Sequence, residues 1–252
     1  MEKTVPSISQ SSDIKPQDAN ERRVGLVIVN ASYKSAPLDN PLNDATDIAN
    51  ELRRRVFKVI LRNNANLRSL QQAVRDFSDE FKKSDVGLIY YSGHGVETKG
   101  QNYLIPVDAD IRKEYELSAQ AYPASQLTVM MEEVQSSDGK KRVAILILDA
   151  CRDNPLTRSW RSSGRGLARM DAPAGTFISF STSPDSVASD GRGRNSPFTK
   201  YLLQAIRKSD VPIELMFKQV RVGVMDETKG EQIPWDSSSL TGDFYFSRSG
   251  KQ

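Results

Sequence analysis

This chain of 252 residues has one imidazole and one thiol at its disposal, those of His94 and Cys151. A zinc site of the usual nitrogen and sulfur kind needs three or four such ligands, so one chain cannot build it. The same count excludes an intramolecular disulfide. What stays open to the two residues is nucleophilic thiol chemistry, in which an imidazole helps form or hold the thiolate and then protonates the leaving amine. Their surroundings suit it: His94 lies in YYSGHG and Cys151 in LILDAC, each directly after an apolar run. The small residues Gly93, Gly95 and Ala150 leave room for a substrate carbonyl. The backbone N–H groups of Gly95 and Cys151 could supply an oxyanion hole. A plainer reading stands beside this one, because a cysteine ending an apolar strand is often a small core residue and a histidine between glycines can simply occupy a turn.

Apolar periodicity predicts the elements that must position this pair. Residues 24–30 read as a buried strand feeding a loop, and Ala45, Ile48, Ala49, Leu52 and Val56 keep helical spacing behind a cap at Asn43 or Asp44. A second strand is expected over 56–61, a helix through Leu67, Leu70, Val74, Phe77 and Phe81, and a third strand over 85–91. An extended piece follows at 103–107, then a helix over 125–135 and the strongest buried strand over 142–149. Residues 154–174, rich in Ser, Gly, Pro and Arg, read as an exposed loop. Beyond it come a strand at 176–181, a helix opened by Ser196-Pro197 and running to 208, a further helix starting near Pro212, and a sixth strand at 241–246. Alternating strands and helices argue for a mostly parallel sheet with helices on its faces. In such sheets ligands gather at the carboxyl ends of strands, where both His94 and Cys151 fall.

Bulk numbers narrow the function classes. A net charge of +3 from 35 basic and 32 acidic residues, without a long basic block, gives no indication of nucleic-acid binding. The longest strongly apolar stretch, 143–148, is far short of the roughly 20 residues that span a bilayer. Residues 1–22 are polar, lack the basic-then-apolar order of a secretory signal and read as a mobile arm. A lone cysteine favours a cytoplasmic setting for the chain as given, with a secreted or periplasmic one if a leader has been removed. There is no GxxxxGK[ST] phosphate loop, no GxGxxG after a strand and no GxSxG elbow.

Asp-Ala-Cys-Arg at the thiol, with the histidine upstream, resembles the caspase signature of Gln-Ala-Cys followed by Arg, Gln or Gly. From about Val24 to Phe246 the chain resembles more closely the caspase-like peptidases called metacaspases and orthocaspases. The pieces that carry the resemblance are NPLNDA at 40–45, YYSGHG at 90–95, YLIPVDA at 103–109, LDACRDNP at 148–155 and SFSTSP at 179–184. It implies an α/β fold, a caspase-like three-layer sandwich with a mostly parallel six-stranded sheet and helices on both faces. It also implies a peptidase domain over 23–247, divided into a large-subunit-like part (23–155), an arginine-rich linker (156–174) and a small-subunit-like part (175–247), with a tail at 248–252. In that frame His94 is the general base and Cys151 the nucleophile.

The resemblance also bears on specificity. The glutamine that caspases carry two residues before the nucleophile, where they grip an acidic substrate side chain, is replaced by Asp149, and a pocket arginine falls at about Asp190. Asp44 and Ser92 match further residues of the metacaspase pocket. Carboxylates facing one cleft hold a guanidinium through charge-assisted, bidentate hydrogen bonds and repel an acidic side chain. Cleavage after Arg or Lys is therefore expected. Each acid has a simpler reading: Asp44 as a helix cap, Asp149 bonded to backbone at a strand end, Asp190 as a solvated turn residue. Arg158, Arg161, Arg165 and Arg169 lie where the family's subunit linker falls, so self-cleavage there is expected, against the commoner reading of a soluble basic loop. Many metacaspases need calcium. Here Asp108, Asp110, Glu114 and Glu116 include no adjacent Asp pair and Arg158 falls near another ligand position, so no obligatory calcium or other cofactor is expected. The partners implied are protein or peptide substrates with exposed Arg or Lys, cut by a monomer without a membrane span. A catalytically silent caspase-like interaction module is the competing reading, with a nucleotide-binding α/β domain behind it.

Overall fold

The computed structural model describes residues 21–151, 167–183, 193–208 and 210–247, and Cys151 by its backbone. The large part of the chain comprises β1 (Arg23–Val29), α1 (Pro41–Arg54), β2 (Phe57–Asn63), α2 (Leu67–Phe81), β3 (Val86–Thr98), β4 (Gln101–Leu104), a 3-10 turn (Glu114–Glu116), α3 (Leu117–Gln120), β5 (Tyr122–Pro123), α4 (Ser125–Ser136) and β6 (Val143–Cys151). Then come β7 (Thr176–Phe180), α5 (Pro197–Arg207), α6 (Ile213–Glu227) and β8 (Trp235–Ser238). The main sheet runs β2-β1-β3-β6-β7-β8, parallel except for the β7–β8 pair. The short β4 and β5 extend it from the far end of β3, which makes eight strands.

Side chains alternate across each strand, and the two faces bury different helices. Val27, Val29, Leu88, Tyr90, Ile145 and Ile147 pack with α1, α5 and α6. Leu26, Ile28, Ile89, Tyr91, Leu146 and Leu148 pack with α2 and α4. The result is the α/β architecture of a mostly parallel sheet between helices. No helix of the described residues is long and apolar enough to cross a membrane.

Four expectations need correction. Helix α1 starts at Pro41 behind Asn40, not behind a cap at Asn43 or Asp44. Proline has no N–H to waste in the first turn, and Asp44 is thereby left to a tertiary partner. Val56 belongs to no helix: it sits at φ 64°, is 75% exposed, and turns the chain into β2. Strand β3 does not stop before the histidine but runs on to Thr98, its last residues leaving the main sheet to pair antiparallel with β4. The sixth strand of the main sheet is β8, not 241–246. Phe244 and Phe246 are indeed buried alternately, yet they anchor the chain end rather than pair in a ladder. The guanidinium of Arg23 holds the carbonyls of Phe246 at 2.9 Å and Tyr245 at 3.1 Å.

Candidate active site

Strands β3 and β6 are parallel neighbours, and their register sets Ser92 opposite Asp149, Gly93 opposite Ala150 and His94 opposite Cys151. The only imidazole and the only thiol of the chain thus belong to one paired position at the carboxyl end of the sheet. Gly95 allows the close approach: a Cβ there would lie 3.0 Å from both the Ala150 methyl and the Leu167 side chain. Gly93 is required more strictly. It has φ 154°, and a Cβ would lie 2.7 Å from Tyr33 Oη and 2.9 Å from Tyr91 Oη.

His94 is 3% exposed, and its Nε2 lies 2.8 Å from the carbonyl oxygen of Ala36 in the loop after β1. A carbonyl only accepts, so Nε2 carries the proton, and in the neutral ring the basic lone pair belongs to Nδ1. Tyr33, from the same loop, packs its ring 4.3 Å from the imidazole.

The acids converge on the start of α5. Asp44, 1% exposed in the first turn of α1, accepts from Asn195 Nδ2 at 2.9 Å and from the Ser196 N–H at 3.2 Å. Asp149, 2% exposed, accepts from the hydroxyls of Ser196 at 3.0 Å and Thr199 at 3.1 Å, and the Tyr90 hydroxyl, 3.3 Å from the same carboxylate oxygen, donates to Thr199 Oγ1 at 2.7 Å. Ser196 caps α5, its hydroxyl accepting from Thr199 N–H at 3.1 Å, and the partial positive charge of that helix end offsets some of the carboxylate charge. Burial nonetheless dominates. It pushes the Asp149 carboxyl up against the pull of its hydroxyl donors, and together with the neighbouring Asp149 charge it pushes Asp44 up to about 7. Burial and then these two charges push the Tyr90 phenol well up, keeping it protonated as a donor.

Ser92, Asp44 and Asp149 are therefore gathered on the α1–α5 side of the sheet, near His94. Asp190, Arg158, Arg161 and Arg165 lie outside the described residues. Arg169 is exposed, with its guanidinium 3.7 Å from Asp171 and over the Trp235 ring. The four acids weighed for calcium have other partners: Asp108 accepts from Leu67 N–H, Asp110 from Arg112, Glu114 from Thr98 and Lys99, and Glu116 from the N–H groups of Arg112 and Lys113. Among the described residues no group of three or more His, Cys, Asp or Glu is arranged to hold a metal ion.

Sequence reasoning missed Tyr33, the Ala36 carbonyl, Asn195, Thr199 and Tyr90. It also missed Asp47, which takes the guanidinium of Arg194 on both oxygens at 2.9 Å and is held below the usual carboxylate range by it. Only Ser196-Pro197 left a sign, as a helix start. That a cap hydroxyl also serves a carboxylate on β6 is a long-range contact without a local pattern.

A family model described as the caspase domain matches residues 22–245 of this chain. The human mucosa-associated lymphoid tissue lymphoma translocation protein 1 is 32% identical over 133 residues, which is 52% of this chain and 15% of that protein. Its homolog in Mus musculus is 33% identical over 133 residues, with the same shares. The chain thus spans about 15% of the length of these curated relatives.

Proposed function

The chain belongs to the caspase-domain family, and from that premise we propose that it is a cysteine endopeptidase of the metacaspase or orthocaspase type that cleaves after Arg or Lys. A caspase domain supports cysteine-type peptidase activity, and such a domain acts on proteins or peptides. The observation that carries the finer reading is the β3–β6 register, with His94 opposite Cys151 and two buried carboxylates alongside. In this reading the Cys151 thiolate attacks the scissile carbonyl, and the N–H groups of Gly95 and Cys151 receive the developing oxyanion. His94 gives the proton taken from the thiol to the leaving amine through Nδ1. It then removes a proton from the water that attacks the thioester, which releases the acid and restores the thiol.

Asp44, Ser92 and Asp149 form the pocket for the basic side chain in this reading, and the family resemblance would add Asp190. A guanidinium offers several donors to two carboxylates, whereas an aspartate side chain would bring a third negative charge to a buried pair. The test is hydrolysis of fluorogenic peptides ending in Arg, Lys or Asp, with and without calcium. Arg and Lys peptides are expected to be cut at the same rate in both conditions, and the Asp peptide is not. Preference for Asp overturns the pocket assignment. Failure on all three, with no labelling by an arginine-directed covalent inhibitor, favours the silent interaction module.

A pH effect follows from Asp44. Its carboxyl, raised to about 7, holds a proton at lower pH, and a cationic ligand must drive that proton off. The Ki of a competitive arginine-based inhibitor is expected to be flat above pH 7 and to rise by up to about tenfold per unit below it. Asp44→Asn should reduce the slope to the part that the raised Asp149 carboxyl contributes, and a pH-independent Ki in the unaltered protein would refute the assignment.

Self-cleavage at Arg158, Arg161, Arg165 or Arg169 belongs to the same proposal. Intact masses of the unaltered protein and of Cys151→Ala should differ, fragments ending at one of these arginines appearing only in the former. Identical masses would sink the idea.

A further inference from the structure

We infer that Tyr33 is a positioning residue for His94, its hydroxyl standing in the β3–β4 ladder between the histidine N–H and the Ile105 carbonyl. The inference rests on the reading of His94 as the general base and concerns how that base is held.

Two residues directly opposite each other at a hydrogen-bonded position of an antiparallel pair exchange both of their N–H···O bonds. His94 and Ile105 stand one step beyond the paired residues Gly95 and Leu104, and one of the two bonds is present: Ile105 N–H donates to the His94 carbonyl at 3.0 Å. The reciprocal bond is relayed. His94 N–H donates to Tyr33 Oη at 2.8 Å, and Tyr33 Oη donates to the Ile105 carbonyl at 3.1 Å. A side-chain hydroxyl therefore takes the place of a direct backbone contact at the one histidine of the chain.

The loop that brings Tyr33 touches His94 in three ways. Its hydroxyl takes the backbone N–H, its ring faces the imidazole at 4.3 Å, and the Ala36 carbonyl fixes Nε2 at 2.8 Å. The loop is itself tied down, because Asn64 Oδ1 accepts from the N–H groups of Ala31 and Ser32, each at 3.0 Å. Asn30 accepts from Ala65 N–H at 2.8 Å and donates to the same Ile105 carbonyl at 3.0 Å. Without the hydroxyl, His94 N–H and the Ile105 carbonyl can close into an ordinary ladder bond, drawing the histidine backbone towards β4. A misplacement of about 1 Å at a reacting group costs on the order of 10²-fold in rate.

Tyr91 supplies the comparison. Its hydroxyl donates to the His94 carbonyl at 2.7 Å, and Ile105 O lies 3.3 Å away, but each of those acceptors has another donor. The His94 N–H donates to Tyr33 Oη, the group that relays it to the Ile105 carbonyl. Removing the Tyr91 hydroxyl should therefore matter less than removing that of Tyr33.

The experiment uses the full chain and an Arg-terminated fluorogenic peptide. Tyr33→Phe keeps the ring and removes the hydroxyl. It is expected to lower kcat about 10- to 100-fold while KM stays within about twofold, since Asp44 and Asp149 sit on α1 and β6. The second readout needs no substrate: the pH profile of iodoacetamide alkylation of Cys151 should move from that of the unaltered protein towards that of His94→Ala. Tyr91→Phe should show the smaller change in both. If Tyr33→Phe does not fold, 3-fluorotyrosine at position 33 keeps the ring and the hydroxyl but weakens that oxygen as an acceptor of the His94 N–H, and it should lower kcat in the same direction by a smaller factor. An unchanged kcat and alkylation profile in Tyr33→Phe, with His94→Ala inactive, overturns this inference alone. Full activity in His94→Ala overturns the general-base reading and takes the inference with it.

Discussion

Cys151→Ala is expected to lower kcat/KM on an Arg-terminated peptide by at least ~10³-fold, a loss of about 4 kcal/mol of transition-state stabilisation. The chain has no second thiol to stand in for it. His94→Ala should fall to a similar level for the same reason, and the double variant should be scarcely worse than either single one, because groups that act as a unit are not additive. Steady-state hydrolysis together with active-site titration by a thiol-directed inhibitor measures all three. Substantial turnover in Cys151→Ala would mean that the chemistry lies elsewhere. Additive losses in the double variant would mean that the two residues, although opposite each other in the β3–β6 register, do not share one step.

The second large effect concerns Asp149. Asp149→Asn keeps the shape and an acceptor oxygen for the hydroxyls of Ser196 and Thr199 but removes the charge. Loss of the charged partner of a buried guanidinium costs about 2–4 kcal/mol, so kcat/KM for the Arg peptide should drop roughly 30- to 1,000-fold. Stability should move the other way. The folded protein raises the Asp149 carboxyl above its ordinary range through burial, so the native state binds this proton more tightly than the unfolded chain. Stability is then lost as pH rises from the ordinary carboxylate range through the raised folded value, and the cost is complete above it. Asparagine has no such cost, so at pH 8 the variant should melt no lower than the unaltered protein. Peptide kinetics and thermal melts at pH 5 and 8 read both signs. Undiminished cleavage after Arg would remove Asp149 from the pocket, while a large drop in melting temperature at pH 8 would assign it a structural role.

Elements with a strong apolar period are legible in the amino-acid sequence. Leu67, Leu70, Val74, Phe77 and Phe81 all lie in α2, and the uninterrupted run at 143–148 is the buried core of β6. What misled was apolar spacing whose partner is distant. Val56 continues the spacing of α1 by coincidence and ends up exposed in a left-handed turn. Phe244 and Phe246 alternate as in a strand, yet they close against Phe57 and the Arg23 guanidinium. The edge strand β8, WDSS, is four half-exposed residues with little apolar signal, made a strand by its pairing with β7.

The amino-acid sequence by itself determined which chemistry is open to this protein. A single thiol and a single imidazole, each following an apolar run, are read from residue type and local pattern alone, whereas the acids at 44 and 149 are singled out by the family resemblance. Only the tertiary structure decided the register that sets residue 94 opposite residue 151, the α5 cap that bridges two carboxylates, and the tyrosine hydroxyl spliced into the ladder beside the histidine. These rest on backbone pairing and on hydrogen bonds between residues far apart in the chain. Whether two such groups meet is settled by how the sheet packs against its helices, a property that no short stretch of sequence carries.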